Sequence, residues 1–286
     1  MSEERLQKIL AAAGLASRRG AARLIMEGRV LVDGIPAQTP GQRIDPSSVV
    51  TLDGLEIGAS EQKIYLMLHK PAGYVTTLSD PQGRPAIKDL LGGVRQRVFP
   101  VGRLDRDVSG LLILTNDGEL AKRLMHPSFM IPKVYRAKVE GRPGREFIET
   151  LRSGRIVIEG RPAAPAKARM LRSGPDAGCL ELVLTEGRNR QVKRMCAAAG
   201  HPVEVLRRVA YCGIELPSNL PPGKHQRLSP EEVAMLKKSV GLASSSAQAK
   251  GPSRSKAKDE SFGPSKAKDE SLEAERPKPR PERSRK

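Results

Sequence analysis

The sequence predicts an α+β fold with a mainly antiparallel, mixed sheet flanked by helices. Strand-like and helix-like segments follow one another irregularly over residues 64–240, at the short spacing that hairpins allow. A doubly wound sheet would alternate the two regularly. Residues 1–58 carry a separate pattern of two helices and a few strands, followed by a polar linker at 59–63. Residues 241–286 change abruptly to Ser, Ala, Lys, Pro and Glu, which predicts a disordered basic tail.

Apolar periodicity and end signals define the N-terminal helices. Leu6, Ile9 and Leu10 share one helix face, and Gly14 can end that helix in the left-handed conformation. Ser17 then offers an N-cap for a second helix. Two strand-like runs follow, and each ends in an Asp-Gly turn signal of the kind that hairpins use. Residues 1–58 are therefore expected to form a small unit that contains both helices and strands.

A local basic patch lies on and after the second helix. It comprises Arg18, Arg19, Arg23 and Arg29. With the turn pattern that follows, this stretch resembles the small RNA-binding domain first recognised in a small-subunit ribosomal protein. The resemblance implies that the helix and the hairpin contact structured RNA. Residues 1–60 hold seven basic and seven acidic side chains, so a helical hairpin with a solvated arginine face is the alternative.

The larger region is expected to form one domain of strands and helices. Strands are predicted at 64–68, 111–114, 134–139, 179–184 and 203–209. Helices are predicted at 117–125, 145–151 and 190–199, with a last one starting after Ser229, where Pro230 and two acids favour a helix N-terminus.

The net charge of +18 is unevenly distributed. Residues 61–240 hold 31 Lys and Arg against 18 Asp and Glu, so most of the excess falls on the predicted larger domain. A basic surface on a folded domain indicates a polyanionic partner, most often nucleic acid.

Cysteine usage and the N-terminus point to the cytoplasm. Cys179, Cys196 and Cys212 are far apart and lack metal-ligand spacing, which is typical of thiols in a reducing compartment. The chain starts with an acidic segment, has no apolar signal region, and contains no run long enough to span a bilayer. No metal or other cofactor is expected, and a monomer is assumed.

The most informative segment is 102–118. Asp105 lies between Arg103 and Arg106, ahead of an apolar run that ends in Asn-Asp-Gly. Nearby positive charge favours the ionised form of a carboxyl group, so Asp105 suits a nucleophile or charge stabiliser better than an acid. The same residues read as Asp-x-Asp-x-Ser, a weak match to aspartyl-phosphate phosphatases, but that motif needs a strand ending at its first Asp.

Four ordered motifs resemble the pseudouridine synthases, in particular the RsuA/RluB branch that acts on ribosomal RNA. They are Gly-Arg-Leu-Asp through Asn-Asp-Gly (102–118), Met-His-Pro-Ser with Lys-Val-Tyr (125–135), the run 185–195, and Leu-Arg-Arg (206–208). Four motifs at compatible spacing are far more specific than any one alone. Within the branch, the first ten residues, the long third motif and the basic tail are closer to the large-subunit, RluB-like members.

The resemblance implies an enzyme that isomerises uridine in ribosomal RNA, with Asp105 as the catalytic residue at the ribose. Tyr135 is then the tyrosine that stacks on uracil. Lys193 occupies the position of a basic residue that pairs with the catalytic Asp, where many relatives carry Arg. Arg103 is placed to fill the gap left by a flipped base or to contact the RNA backbone.

Further RNA contacts are expected at Lys133, Arg188, Arg190, Arg194 and Arg208. We expect Arg190, Lys193 and Arg194 to share one helix face, which would leave both arginines free to hold phosphates. The alternative function is a non-catalytic ribosomal RNA-binding assembly factor. Asp105 separates the two hypotheses, because a carboxylate among arginines repels phosphate and gives a pure binder no advantage.

Overall fold

The computed structural model describes residues 3–45, 47–58, 61–174 and 176–242. The chain divides into two compact units, one built mainly on residues up to Tyr65 and the other on most of the later residues. The predicted tail at 241–286 lies outside the described residues, apart from Gly241 and Leu242. In the described part of the chain, no helix has the length and apolar character needed to cross a membrane.

The described part of the first unit contains two helices and six short strands. In chain order they are β1 (Glu4–Arg5), α1 (Leu6–Ala12), α2 (Arg18–Met26), β2 (Val30–Val32), β3 (Ile35–Pro36), β4 (Arg43–Ile44), β5 (Val50–Leu52) and β6 (Leu55–Glu56). Four of the strands form a sheet in the order β3-β2-β5-β6, with every pairing antiparallel, and β1 pairs with β4. Both predicted helices are present.

Local signals in the sequence account for the ends of these elements. The Ser17 side chain accepts a hydrogen bond from the Gly20 amide at 2.9 Å and so caps α2. Asp33 and Gly34 have φ values of 51° and 80°, the left-handed pair that a tight hairpin turn requires. Leu6 and Leu10 are fully buried with Ile25 of the second helix, so one apolar face of each helix forms the core of the unit.

Among the described residues, the second unit contains a nine-stranded sheet, a two-stranded hairpin and four α-helices. The elements are β7 (Tyr65–Lys70), β8 (Phe99–Pro100), β9 (Ser109–Thr115), α3 (Gly118–Met125), β10 (Lys133–Glu140), α4 (Arg145–Arg152), β11 (Val157–Ile158), β12 (Arg161–Pro162), β13 (Lys167–Ser173), β14 (Ala177–Leu184), α5 (Gln191–Ala198), β15 (Val203–Tyr211), β16 (Ile214–Glu215), β17 (His225–Arg227) and α6 (Pro230–Ser239). Strands β11 and β12 form the hairpin.

The main sheet is mixed and mainly antiparallel, which confirms the predicted fold class. Its strand order is β13-β14-β10-β15-β9-β7-β17, with β16 beside β15 and β8 beside β9. Strand β15 runs parallel to β9, whereas β10 is antiparallel to both β14 and β15. Every side chain of β9 is buried, so the apolar run noticed in the sequence is a central strand.

A close backbone approach fixes the parallel pairing of β9 with β15. Gly110 has φ of +113°, and a Cβ atom on it would lie 2.2 Å from the carbonyl oxygen of Arg208. Arg208 is its register partner on β15. Only glycine fits at this point. The close contact joins β9, the strand that follows Asp105, to the centre of the sheet.

Four strands of the sheet, β8, β13, β16 and β17, were not predicted from the sequence. Strand β13 alternates exposed charged residues with few apolar ones and lies at one edge of the sheet; β17 is three residues long and lies at the other. The predicted helix at 190–199 begins one residue later, because Arg190 adopts the left-handed conformation and forms the N-cap of α5.

Candidate active site

Asp105 lies in the loop that leads into β9. The preceding Leu104 is buried, Asp105 itself is half-buried, and Arg103 and Arg106 are exposed. No strand ends at Asp105, and β9 begins only at Ser109. The phosphatase-like interpretation of Asp-x-Asp-x-Ser needed such a strand and is therefore wrong.

The main chain of this loop is held by a buried lysine, Lys70, at the end of β7. Its ammonium donates hydrogen bonds to the carbonyl oxygens of Val108 at 2.8 Å, Asp105 at 3.1 Å, Pro71 at 3.1 Å and Arg106 at 3.4 Å. The residue is fully buried. These hydrogen bonds offset the free-energy cost of burying the ammonium charge. Because the carbonyl groups of Asp105, Arg106 and Val108 belong to the loop, Lys70 fixes the path of its main chain. Sequence reasoning missed it.

A second set of hydrogen bonds holds the loop from the segment that follows β7. The buried Thr76 hydroxyl donates to the Leu104 carbonyl at 2.6 Å and accepts from the Leu104 amide at 3.2 Å. The Gly73 amide donates to the Arg106 carbonyl at 2.7 Å, and the Arg106 Nε donates back to the Gly73 carbonyl at 3.2 Å. Both neighbours of Asp105 are therefore anchored, which limits the movement of the carboxylate.

Asp105 and Tyr135 line the same cavity, which has a volume of about 80 Å³. Tyr135 is half-buried on β10, where its register partners are Leu182 on β14 and Arg208 on β15. Leu206 adds an apolar surface to the cavity. The structure thus brings together an acid and an aromatic ring that lie thirty positions apart in the sequence, in a pocket with one apolar side.

The run 185–191 forms another wall of this cavity. The Gln191 carboxamide donates to the Glu186 carboxylate and accepts from the Arg188 amide at 3.0 Å. Glu186 also accepts from the amide of Ala164 at 3.0 Å. Gln191 is buried and Glu186 half-buried, so the third motif is ordered by its own side chains before any RNA is bound.

Lys193 does not pair with Asp105 as expected. Its ammonium donates to the carboxylate of Asp107, two residues further along the loop. Burial alone would raise the pKa of Asp107, but the hydrogen bond and the charge of Lys193 outweigh it and hold that pKa below its ordinary value. Asp107 therefore has an ion-pair partner on α5.

The predicted phosphate contacts near the cavity fall into two groups. Arg103 and Arg190 are exposed and line the cavity, which agrees with a role in contacting RNA. Arg194 instead pairs with Glu159 at 2.6 Å, and Arg188 donates to the carbonyl oxygens of residues 161 and 162. The expected shared face of free arginines is wrong, because Arg190 precedes the helix and Arg194 is already bound.

Arg208 is buried, which contradicts the prediction, whereas the RNA contact expected of Lys133 stays a prediction. Arg208 is 2% exposed, donates to the Leu111 carbonyl at 2.9 Å and lies over the ring of Tyr211, so a direct RNA contact by this side chain is wrong. Lys133 donates to the carbonyl oxygens of Ile131 and Thr185. Burial, with a smaller contribution from the charge of Arg208, lowers the pKa of Lys133 to about 8.

In the first unit, Arg18, Arg19 and Arg23 are all exposed on α2. Arg23 lies within 3.5 Å of the Glu27 carboxylate. Arg29 forms a two-pronged pair with Asp53 at 2.8 and 2.5 Å, which raises the pKa of Arg29 and lowers that of Asp53. Within the described residues, Arg18 and Arg19 form no salt bridge, so theirs are the least compensated charges of the predicted patch.

The site combines a half-buried carboxylate and an aromatic ring in one cavity of an α+β domain, and comparison with known proteins identifies the class. The RNA pseudouridylate synthase family matches residues 64–198, and the S4 domain family matches residues 4–50. The ribosomal large subunit pseudouridine synthase B of Bacillus subtilis is 43% identical over 236 residues, covering 82% of this chain and 96% of that protein.

Two further relatives agree. An uncharacterised RNA pseudouridine synthase of Aquifex aeolicus is 43% identical over 244 residues, covering 85% of this chain and 97% of that protein. A crystal structure of a pseudouridylate synthase matches with a TM-score of 0.60 and 28% identity, covering 81% of this chain and 99% of that chain. The chain belongs to the RNA pseudouridine synthase family and carries an N-terminal S4 domain.

Proposed function

We propose that this synthase isomerises one uridine to pseudouridine in large-subunit ribosomal RNA, with Asp105 acting at the ribose C1′. The observation that carries the proposal is the shared cavity of Asp105 and Tyr135 at the head of a buried strand. The name of the Bacillus subtilis relative supports a large-subunit substrate.

The reaction places specific demands on this cavity. The bond between N1 of uracil and C1′ breaks, uracil turns, and C5 forms the new bond to C1′; C5 loses its proton and N1 gains one. Between these steps the sugar carries oxocarbenium-like charge. A carboxylate beside C1′ stabilises that charge, by direct attack or by shielding, as in glycoside hydrolases. Asp105, held by its anchored main chain, is in position for either role.

Tyr135 is the residue proposed to hold the free base. Its ring lies in the same cavity as Asp105, so a uracil bound there stacks on the ring while its sugar faces the carboxylate. A base stacked inside an RNA helix has both faces covered by its neighbours, so it cannot also stack on Tyr135 in this cavity. The base is therefore flipped out of the helix before reaction.

Arg103 is proposed to assist flipping, because it is exposed, lines the cavity and lies two residues before Asp105. The Arg103→Ala variant should lose more activity on folded RNA than on a short unstructured fragment that contains the same uridine. Equal losses on the two substrates would contradict this role.

The S4 domain and the exposed Arg18 and Arg19 are proposed to bind a structured part of the same RNA. The substrate is ribosomal RNA or an assembling ribosomal subunit in the cytoplasm. The protein binds it as a monomer. A binder without catalytic activity would use the same arginines but would not need Asp105.

Mapping pseudouridine in both ribosomal RNAs tests the proposal. Cells with the wild-type protein, a deletion and the Asp105→Asn variant are compared. One large-subunit site should disappear in the deletion and stay absent with Asp105→Asn. Return of the site with the Asn variant would contradict catalysis by Asp105. If no site changes in either ribosomal RNA, the chain acts there only as a binding or assembly factor.

A further inference from the structure

A second, larger cavity adjoins Asp105 on the side of the segment that follows β7. Its volume is about 370 Å³, and it shares Arg103, Leu104 and Asp105 with the cavity of Tyr135. The residues that matter to the argument are Thr77, Asp80, Arg84, Arg103, Asp105 and Arg106. None of the described residues that line it is aromatic, so they offer no stacking surface for a second base.

The outer wall of this second cavity is an ordered loop. The Val75 amide donates to the Pro85 carbonyl at 2.8 Å, which closes the ends of the loop against each other. The Thr77 hydroxyl donates to the Ser79 carbonyl at 2.7 Å. The loop therefore keeps a fixed shape through its own hydrogen bonds.

Arg84 is held in position by Asp80. Its Nη2 donates to one carboxylate oxygen at 2.7 Å, and its Nε and its own amide donate to the other at 3.2 and 2.7 Å. This contact raises the pKa of Arg84 and lowers that of Asp80. The Asp80 side chain is 4% exposed, whereas that of Arg84 is 41% exposed. Among the described residues, the Nη1 of Arg84 has no hydrogen-bond partner, so the guanidinium is fixed but still has donors to offer.

The position of the ribose determines which part of the RNA can bind in the second cavity. If Asp105 acts at C1′, as the proposed function requires, the sugar lies where the two cavities meet. The base occupies the cavity of Tyr135, and the phosphates attached to the same sugar must leave on another side. The second cavity offers the guanidinium groups of Arg84, Arg103 and Arg106 for them.

We propose that the second cavity binds a backbone phosphate of the RNA next to the target uridine, with Arg84 as the principal donor and Asp80 as its positioning residue. Binding there holds the sugar against Asp105 independently of the sequence around the uridine. The inference rests on the proposed function, because it uses the location of the ribose.

Neutral phosphate analogues test this directly. Two versions of a ribosomal RNA hairpin that the wild-type protein isomerises carry one methylphosphonate, on the 5′ or the 3′ side of the target uridine. One of the two should weaken wild-type binding by about tenfold, the loss expected for one charge-assisted contact. The Arg84→Gln variant should bind the normal hairpin about as weakly and should not respond further to that methylphosphonate.

Two further variants separate charge from position. Arg84→Gln should reduce the slope of log Kd against log salt concentration by about 0.7 to 1, the value for one lost phosphate contact. Asp80→Asn should weaken binding but leave that slope close to the wild-type value. Arg84 keeps its charge in this variant but loses the carboxylate that holds it in position. Matching thermal unfolding of the variants shows that the fold is intact.

Arg145→Gln is the matched control, since this arginine is 92% exposed on α4 and lies outside both cavities. It should bind as the wild type does and respond fully to the methylphosphonate. If the effects of Arg84→Gln and each methylphosphonate simply add, the phosphate site is wrong although isomerisation stands. If the wild type isomerises no ribosomal RNA, the proposed function fails and this inference fails with it.

Discussion

Lys193 donates to the carboxylate of Asp107 and leaves that of Asp105 without a salt bridge among the described residues. The contact joins α5 to the loop that carries the candidate catalytic carboxylate, so a basic residue of the third motif braces this loop two residues beyond Asp105.

A double-mutant cycle tests this ion pair. Asp107→Asn and Lys193→Met should each lower kcat/KM by less than about tenfold, because the pair is partly exposed and such pairs contribute at most about 1 kcal/mol. The kcat/KM of the double variant should be no lower than that of the less active single variant. Lys138→Met, which breaks a pair of 2.8 Å with Glu204 elsewhere on the sheet, is the control and should leave kcat/KM unchanged. Additive losses would show that the two residues act separately.

The lowered pKa of Lys133 predicts a specific pH dependence of stability. In the folded chain Lys133 loses its proton near pH 8, whereas the unfolded chain holds it up to about 10.5. Between these values the unfolded state binds more protons, so the free energy of unfolding gains a component that rises with pH. Urea unfolding of Lys133→Met should lack this rise. The same slope in the variant and in the wild type would contradict the shift.

Lys70 is expected to be essential for the shape of the catalytic loop. Lys70→Met keeps most of the length of the side chain but leaves the carbonyl oxygens of Asp105 and Val108 without their donor. Hydrogen bonds to a charged group contribute about 1.5–3 kcal/mol, so we expect a loss of stability of this size together with a fall in kcat. Lys122→Met, on the exposed side of α3, is the control and should change neither quantity. Full activity of Lys70→Met would show that the loop keeps its shape without the Lys70 ammonium.

Gly110→Ala should be far more damaging than an ordinary glycine substitution. The new Cβ would meet the Arg208 carbonyl at 2.2 Å, and the φ of +113° is unfavourable for alanine in any case. Separating β9 from β15 should cost more than about 3 kcal/mol. Gly118→Ala, where nothing lies within 4 Å of a Cβ, should be neutral or slightly stabilising. Thermal unfolding of the two variants checks both expectations.

Local chemistry explains why much of the fold could be predicted. Ser17 and Ser229 cap their helices as the sequence indicates, and both Asp-Gly turns have the left-handed backbone that their residues favour. The motif around Asp105 also led to Tyr135 as its partner in the cavity. These features depend on neighbouring residues or on a motif long enough to be recognised.

The errors concern side chains whose surroundings depend on strand pairing. Arg208 looks like a phosphate contact in the sequence, but its place on a central strand buries it against Tyr211. Lys70 ends an apolar run next to a proline and looks like a surface residue, although three-dimensional packing surrounds it with carbonyl oxygens. The only hint in the sequence was a charged residue at the end of a strand too apolar to be exposed.

The most direct measurement of the central claim follows the hydrogen at C5 of uracil. Pseudouridine formation replaces the C5 hydrogen with the bond to C1′, so RNA labelled with tritium at C5 releases the label into water. Asp105→Asn should reduce single-turnover release by more than about 10³-fold with RNA affinity unchanged, whereas Asp107→Asn should keep most of it. Release near the wild-type rate by Asp105→Asn, with loss in Asp107→Asn, would contradict the assignment of Asp105 as the catalytic carboxylate.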